Sequence, residues 1–319
     1  MSLRTLAKNV LICSVRAFPA RVKRIIFEEL AKSSDGNFRI AGYIAKKAGL
    51  TGFVAEGDSG IIRGALDDEA ALAKYARDGI WSPNQSSLFK CLFAQYGGTY
   101  LDIGANIGLT LIPMSQKSNV ACYAFESDPT NFRNLSENVS VNCRANNVQL
   151  LNVALYNKDT IVPFEISERH SGDNRLSLTV SAGKLGEHSR KRVLVSAKRL
   201  DDVIDNAAKP IAAKIDVQGA EPFVIEGGHK TLSQAQLLSL EFWPYSILRM
   251  GGNIDGVITF LTENFQEGSI SIGDIDQQIS WQPIGLISSL LHEFCQKSTD
   301  QYSYLDVIVR KIDHQRPVR

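Results

Sequence analysis

The sequence has few cysteines and none close together. Its five, Cys13, Cys91, Cys122, Cys143 and Cys295, form no C-x-x-C pair and are odd in number. That argues against a zinc site or a disulfide framework and for a reducing compartment, so a cytoplasmic location is expected. An excess of charge of either sign is also missing: 35 Lys and Arg stand against 34 Asp and Glu. Without a basic footprint, no nucleic-acid partner is expected. No apolar run reaches the length of a membrane span, and there is neither an internal repeat nor a low-complexity tract. What is present is apolar mass. With 44% hydrophobic residues in 319, the chain can bury a proper core and is not expected to be disordered. Its length suits one large α/β domain with an extra segment, or two small domains.

The first 32 residues carry Arg4, Lys8, Arg16, Arg21, Lys23, Arg24 and Lys32 against Glu28 and Glu29. The apolar stretch Val10 to Val15 is short for a signal peptide, and Arg16 interrupts it. Two readings stand: a basic helix packed on the rest of the protein, which is favoured, or an amphipathic helix making weak contact with a membrane surface. Residues 1–80 read as a mostly helical segment. Ala20 to Lys32 and Asp67 to Arg77 have helical periodicity, and Gly49 to Gly64 reads as a loop or short hairpin.

From residue 81 to 319 strands and helices alternate. Ser82-Pro83 starts a helix. Strand-like runs follow at Thr99 to Ile103, Val120 to Phe125, Val148 to Ala154, Lys214 to Val217 and Leu237 to Phe242. Helices are expected from Asp128 to Asn142 and from Ala220 to Leu232, and Tyr304 to Val309 reads as the strand closing the sheet edge. Repeated strand–helix units imply a parallel sheet covered on both faces. Thr160 to Ser167 and Arg192 to Ser196 interrupt this pattern and flank a long polar stretch. They read as an inserted hairpin whose tip lies near the active site.

The chemistry concentrates at strand ends. In Leu101-Asp102-Ile103-Gly104-Ala105-Asn106-Ile107-Gly108 an apolar strand ends in a glycine-punctuated turn before a helix. The pattern D-x-G-x-N-x-G lacks the first glycine of the dinucleotide fingerprint and has Asp102 in its place, which counts against NAD. Asp102, Gly104, Asn106 and Gly108 are the candidate cofactor-turn residues. At the end of the next strand, Glu126 sits where a carboxylate accepts hydrogen bonds from both hydroxyls of a ribose, on an exposed edge of the sheet. Asn152 and Ala154 end the third strand, where an adenine ring packs on apolar side chains and bonds to backbone or an amide. The run Lys214-Ile215-Asp216-Val217-Gln218-Gly219-Ala220-Glu221 places Asp216 at the carboxyl edge of the fourth strand. Glu221 falls in a first helical turn, where it either caps the helix or joins the site.

These blocks, in this order and spacing over roughly residues 81–245, resemble those of the FkbM-family S-adenosylmethionine (SAM)-dependent methyltransferases. The resemblance implies the class I methyltransferase (Rossmann-like) α/β fold, a seven-stranded sheet with the last strand antiparallel, here with an N-terminal helical segment. It also implies SAM as cofactor and methyl transfer to oxygen, commonly on a sugar, a glycan or another hydroxylated natural product. The family usually has Glu at the position of Gln218, and an amide cannot act as a base. Asp216 is the first candidate for the general base or acceptor-orienting group, and Glu241, at the end of the fifth strand, is the second. His170 and His188 in the insertion are minor candidates, and His229 reads as a surface residue. Trp243 and Tyr245 either line an acceptor pocket or belong to the core. Asp216 and Glu241 offer oxygen ligands to magnesium, but the usual clustered acidic pair is absent, so no metal is assigned. A non-catalytic methyltransferase-like scaffold and an NAD-dependent oxidoreductase are the alternatives.

Overall fold

In the strands of the central sheet, side chains alternate between two apolar cores. Leu101, Ile103, Ala213, Ile215, Val307 and Val309 face one, while Tyr100, Ala212 and Ile308 face the other. Both faces are buried, so the strands read as near-continuous apolar runs. The structure is a computed structural model, and it describes residues 35–143, 146–167, 171–179, 183–272, 278–298 and 300–312. The basic segment up to Lys32, with the helix and membrane readings placed on it, and His170 lie outside the described residues.

Helix α1 (Asp35–Lys47) leads into the antiparallel hairpin β1 (Phe53–Gly57) and β2 (Gly60–Gly64), then α2 (Ala71–Asp78) and α3 (Pro83–Leu92). The repeating units begin with β3 (Gly98–Ile103), α4 (Leu111–Ser115), β4 (Val120–Phe125), α5 (Pro129–Asn142) and β5 (Val148–Leu151). An insertion follows: β6 (Ala154–Leu155), β7 (Thr160–Ile166), β8 (Arg175–Leu176) and β9 (Lys191–Lys198). The chain continues through α6 (Leu200–Val203), β10 (Ile211–Ile215), α7 (Glu221–Gly227), α8 (His229–Leu232) and β11 (Leu237–Phe242). It ends with α9 (Pro244–Arg249), α10 (Ile254–Asn264), β12 (Glu267–Ile272), β13 (Gln282–Pro283), α11 (Ile284–Lys297) and β14 (Leu305–Arg310).

The main sheet has the order β13-β12-β14-β11-β10-β3-β4-β5. Strands β5, β4, β3, β10 and β11 are parallel, and β14 runs antiparallel between β11 and β12. The seven-stranded sheet with its last strand antiparallel, as the resemblance implies, is present and is extended by the two-residue edge strand β13. The strand expected to close the edge does not: β14 lies inside the sheet, because β12, which has no counterpart in the sequence reading, pairs along its outer side from Glu267↔Arg310 to Ile272↔Leu305. The insertion forms its own sheet, β6-β9-β7-β8, in which β7 and β9 pair antiparallel from Thr160↔Ala197 to Ile166↔Lys191.

Two expected elements are broken. The strand read from Val148 to Ala154 stops at Leu151, and Ala154 instead pairs with Ala197 in the insertion sheet. The helix read from Ala220 to Leu232 divides into α7 and α8 at Gly228.

The region before β3 is built onto the cofactor turn. Phe38, Ile44, Phe53, Ile62, Leu72 and Tyr75 share one apolar cluster with Ile107, Leu109 and Ile112 of that turn and α4. Helix α5 completes the attachment. Asn138 and Asn142, one helical turn apart, bond the backbone of Arg63 and Ile61 in both directions at 2.8–2.9 Å. Two amide side chains thus satisfy the outer edge of β2, much as a neighbouring strand would. Among the described residues no helix is long and apolar enough to cross a membrane.

Candidate active site

The carboxyl ends of the parallel strands meet at one edge, where ligands bind in open α/β sheets. The turn after β3 is held from two sides. Gly104 N and Ala105 N donate to Phe125 O at 2.9 and 3.0 Å, and Asp216 N donates to Ile103 O at 3.0 Å. Gly104 adopts φ +80°, and a Cβ there would lie 1.8 Å from Asp216 O. Only glycine fits. Asn106 follows at φ +50°. Its backbone N donates to Glu126 Oε2 at 2.8 Å, and its side-chain Oδ1 is buried without a hydrogen-bond partner.

Glu126 does not stand on an exposed edge as expected. It is 7% exposed, and its second oxygen accepts from Asp128 N at 2.7 Å. Burial, opposed by these two amide bonds, pushes its carboxyl up to about 8. Asp128 in turn caps α5, accepting from Thr130 N and Asn131 N.

The other predicted cofactor residues divide. Ala154 lines the cavity beside Glu126. The Asn152 side chain does not: it donates to Glu126 O at 2.8 Å and to Ser127 O at 3.3 Å, tying down the backbone at the end of β4. Asp102 is fully buried beneath the turn, accepts from Thr110 Oγ1 at 2.6 Å, and lines neither cavity. Gly108 N closes the turn onto Ala105 O at 2.9 Å, and Gly108 too lies off both cavities.

Lys214 is the central cation. Its register on β10 is opposite Asp102. Its Nζ lies 3.8 Å from Asp102 Oδ1, 3.2 Å from Asp216 Oδ2 and 3.1 Å from Gly104 O. Burial disfavours the ammonium, but Asp216 and then Asp102 outweigh it, so Lys214 lies above the usual lysine range. Asp102 is pushed up by burial in spite of Lys214, which fits the shorter distance to Asp216.

Asp216 and Glu241 are brought together by an amide between them. Gln218 Nε2 donates to Asp216 Oδ1 at 2.9 Å and to Glu241 Oε2 at 2.8 Å. Glu241 faces Asp306 across the antiparallel ladder. Burial, with Asp216, Glu221 and Asp306 nearby, pushes Glu241 well above the usual carboxylate range. Glu221 is held under this loop, accepting from Val217 N at 3.1 Å and Gly219 N at 3.2 Å, and burial raises it to about 7. Gly219 is required because a Cβ there would sit 2.4 Å from Ser246 Oγ.

Two cavities share Asn106, Gly172, Asp216 and Gln218. The smaller, of about 60 Å³, lies between Glu126, Ala154, Phe164, Leu176 and Val217. The larger, of about 1020 Å³, is walled by Trp81, Trp243, Tyr302 and Tyr304 and floored by Lys214, Asp216, Gln218, Glu241 and Asp306. Trp243 therefore lines the site. Tyr245 does not: its hydroxyl donates to Glu187 Oε1 at 2.9 Å. His188 and His229 are exposed and line neither cavity.

The sequence reading did not find Trp81, Asp306 or the bridging role of Gln218. It also missed a buried ionic cluster in the insertion. Arg175 is fully buried between Glu165 (3.4 Å), Asp173 (3.2 Å) and Glu187 (3.5 Å), and Arg249 of α9 lies 3.1 Å from Glu165. Arg190 pairs with Asp173, and both line the large cavity. A single arginine in a polar stretch has no periodic signature.

The chain matches the methyltransferase FkbM domain over residues 102–265. It belongs to the FkbM methyltransferase family. The protein is accordingly a SAM-dependent methyltransferase with the class I Rossmann-like fold, and the NAD-dependent oxidoreductase alternative is set aside. Among solved structures it is similar to an FkbM methyltransferase from Methylobacillus flagellatus KT at 14% identity and TM-score 0.39, covering 89% of this chain and 57% of that one. It is also similar to a precorrin-6y C5,15-methyltransferase from Geobacter metallireducens GS-15, at 13% identity and TM-score 0.36, covering 72% and 87% of the two chains. A third similar structure is TYW2 of M. jannaschii in complex with AdoMet, at 13% identity and TM-score 0.34, covering 82% and 87%. A comparison with curated proteins finds no match.

The residues present suit SAM. Glu126, already fixed by two backbone amides, retains lone pairs for two ribose hydroxyls. Ala154, Phe164 and Leu176 would offer apolar walls to an adenine, and the unpartnered Asn106 Oδ1 could accept from a bound group.

Proposed function

We propose that the protein methylates a hydroxyl oxygen of a sugar, a glycan or another hydroxylated compound. The observation that carries this reading is the pair of carboxylates, Asp216 and Glu241, joined through Gln218 on the floor of an aromatic-walled cavity. Bound SAM supplies the methyl group on a sulfonium already activated for displacement. The chain supplies alignment and a proton acceptor. An alcohol is poorly acidic, and Asp216, steadied by Lys214 and Gln218, is the group placed to take its proton. Trp81, Trp243, Tyr302 and Tyr304 offer faces to a sugar ring, and their spread around a cavity of about 1020 Å³ suits an acceptor larger than a single small alcohol. A cytoplasmic location is part of the reading and rests on the cysteine pattern.

Transfer of labelled methyl from SAM to a glycan panel, followed by mass spectrometry of the product, tests the reading directly. Label on a hydroxyl oxygen is expected. Label on nitrogen or carbon would overturn it, and SAM binding with no turnover on any hydroxylated acceptor would return the protein to the scaffold alternative. On a working acceptor, Trp81→Ala should raise KM by roughly 2- to 12-fold, the equivalent of about 0.5–1.5 kcal/mol for one aromatic face. Turnover and SAM affinity should hardly move. An unchanged KM would place the acceptor away from α2 and its following turn.

A further inference from the structure

We propose that Gln218 is a positioning residue that separates the roles of the two carboxylates, holding Asp216 as the proton-accepting group and Glu241 as the proton-bearing one. The inference rests on the hydroxyl-methylation reading above and concerns where the proton sits before transfer.

The geometry assigns the roles. One amide nitrogen carries two hydrogens, and here each is spent on a different carboxylate, at 2.9 Å to Asp216 and 2.8 Å to Glu241. Turning the amide over would aim its carbonyl at both acids and demand a proton on each, which Lys214 at 3.2 Å from Asp216 opposes. Asp216 therefore has a donor on each oxygen, Lys214 on one and Gln218 on the other. Among the described residues Glu241 has the Gln218 hydrogen alone. It faces Asp306 of β14 directly across the ladder, with Asp216, the residue after β10, and Glu221 of α7 nearby. Among these groups Lys214 is the cation, and it leans toward Asp216. Asp216 is 39% exposed at its side chain, Glu241 and Asp306 are partly buried and Glu221 is fully buried; when several acids crowd one cation, ionising all of them is unfavourable, and the proton stays on the member with the poorest donor set. That member is Glu241. The raised value of its carboxyl, with burial as the first cause, agrees.

The backbone shows that the position is built. Gln218 sits at φ +58°, a left-handed conformation that non-glycine residues adopt at a cost. Ser246 Oγ holds it there by donating to Gln218 O at 2.6 Å, and Arg175 donates to Ser246 at 2.9 Å. The amide therefore does not drift. During transfer the hydroxyl proton passes to Asp216, while Glu241 keeps its own proton and presents a donor or a neutral surface to the acceptor.

The test uses the full-length protein with SAM and a working acceptor. Gln218→Glu adds a third carboxylate between the two and should move the acid limb of the kcat–pH profile upward by about one unit or more. Turnover at a fixed pH on that limb then falls about tenfold and recovers at higher pH, with the SAM dissociation constant within about twofold. Gln218→Met removes the donor without adding charge and should shift the limb in the same direction by less. It carries the test if Gln218→Glu does not fold. Infrared titration of the protein without SAM gives a second readout: the protonated-carboxyl absorbance at neutral pH, to which Glu126 and Glu221 also contribute, loses one carboxyl's share in Glu241→Gln and keeps it in Asp216→Asn. Profiles in the Gln218 variants that superimpose on the wild type after scaling would overturn the inference and leave the methylation reading intact. So would a carboxyl's share lost with Asp216 instead. A wild-type protein that methylates no hydroxyl would remove both.

Discussion

Asp216→Asn lowers turnover by about 10²–10⁴-fold, the usual cost of losing general-base assistance, with SAM affinity close to that of the wild type. The change is nearly isosteric. It removes the proton acceptor while the bond to Gln218 and the backbone link to Ile103 O at 3.0 Å can remain. Because Lys214 Nζ lies 3.2 Å from Asp216 and 3.8 Å from Asp102, the lysine keeps a partner in the variant, so the fold should survive. Glu241→Gln, measured beside it, should fall far less. Steady-state kinetics on the labelled-transfer acceptor separate the cases. Collapse in Glu241→Gln with near-normal turnover in Asp216→Asn would move the base to β11. A loss in Asp216→Asn that appears only as a raised acceptor KM would make Asp216 an orienting group. Normal turnover in both would mean that alignment suffices without a base.

Glu126→Ala weakens SAM binding by about 1.5–3 kcal/mol for each charge-assisted bond lost, so two ribose hydroxyls correspond to roughly 10²–10⁴-fold in the dissociation constant. The structure adds a second cost. The same carboxylate holds Asn106 N and Asp128 N, and alanine leaves both amides short of a partner. Glu126→Gln, which keeps the shape, is therefore the cleaner variant.

The affinity also depends on pH. In the protein without SAM, Glu126 is raised to about 8, above its unfolded value of about 4.3. A raised carboxyl contributes stability that is fully present below the unfolded value and is lost as pH rises toward about 8. Hydroxyl donors favour the ionised form, so SAM binding expels the proton. Affinity should then rise with pH up to about 8, by at most about tenfold per unit. Calorimetry from about pH 6 to 9, in two buffers of different ionisation enthalpy, reads both the slope and the released proton. Glu126→Gln should flatten the slope. Equal slopes in the two proteins would take Glu126 out of the linkage.

The alternation of strands and helices, the cofactor turn and the acids at strand ends are all written in short stretches of the chain. These follow from local demands. Gly104 must accept a φ that other residues resist, Asp128 must cap α5, and apolar runs must be buried on both faces of a sheet. Such demands leave their marks within a few residues. The number of strands and the antiparallel last one were legible through resemblance. That β12 covers β14 was not, and neither was the two-residue β13, because pairing between strands leaves no local pattern.

What each polar side chain does at that edge depends on partners distant in the chain. Asn152, at the end of the third strand, spends its amide on the backbone of Glu126 and Ser127. Asp102, in the cofactor turn, lies buried beneath it with Thr110. Gln218, where the family usually has an acid, is a bridge between two acids. Trp81 meets Glu241 in one cavity across 160 residues of sequence, and the ionic cluster joins Glu165, Arg175 and Glu187 of the insertion to Arg249 of α9. Periodicity tells which face of an element is buried. It carries nothing about which distant element covers that face. Hydrogen bonds and ion pairs act over a few ångströms, so their partners are chosen by the folded chain.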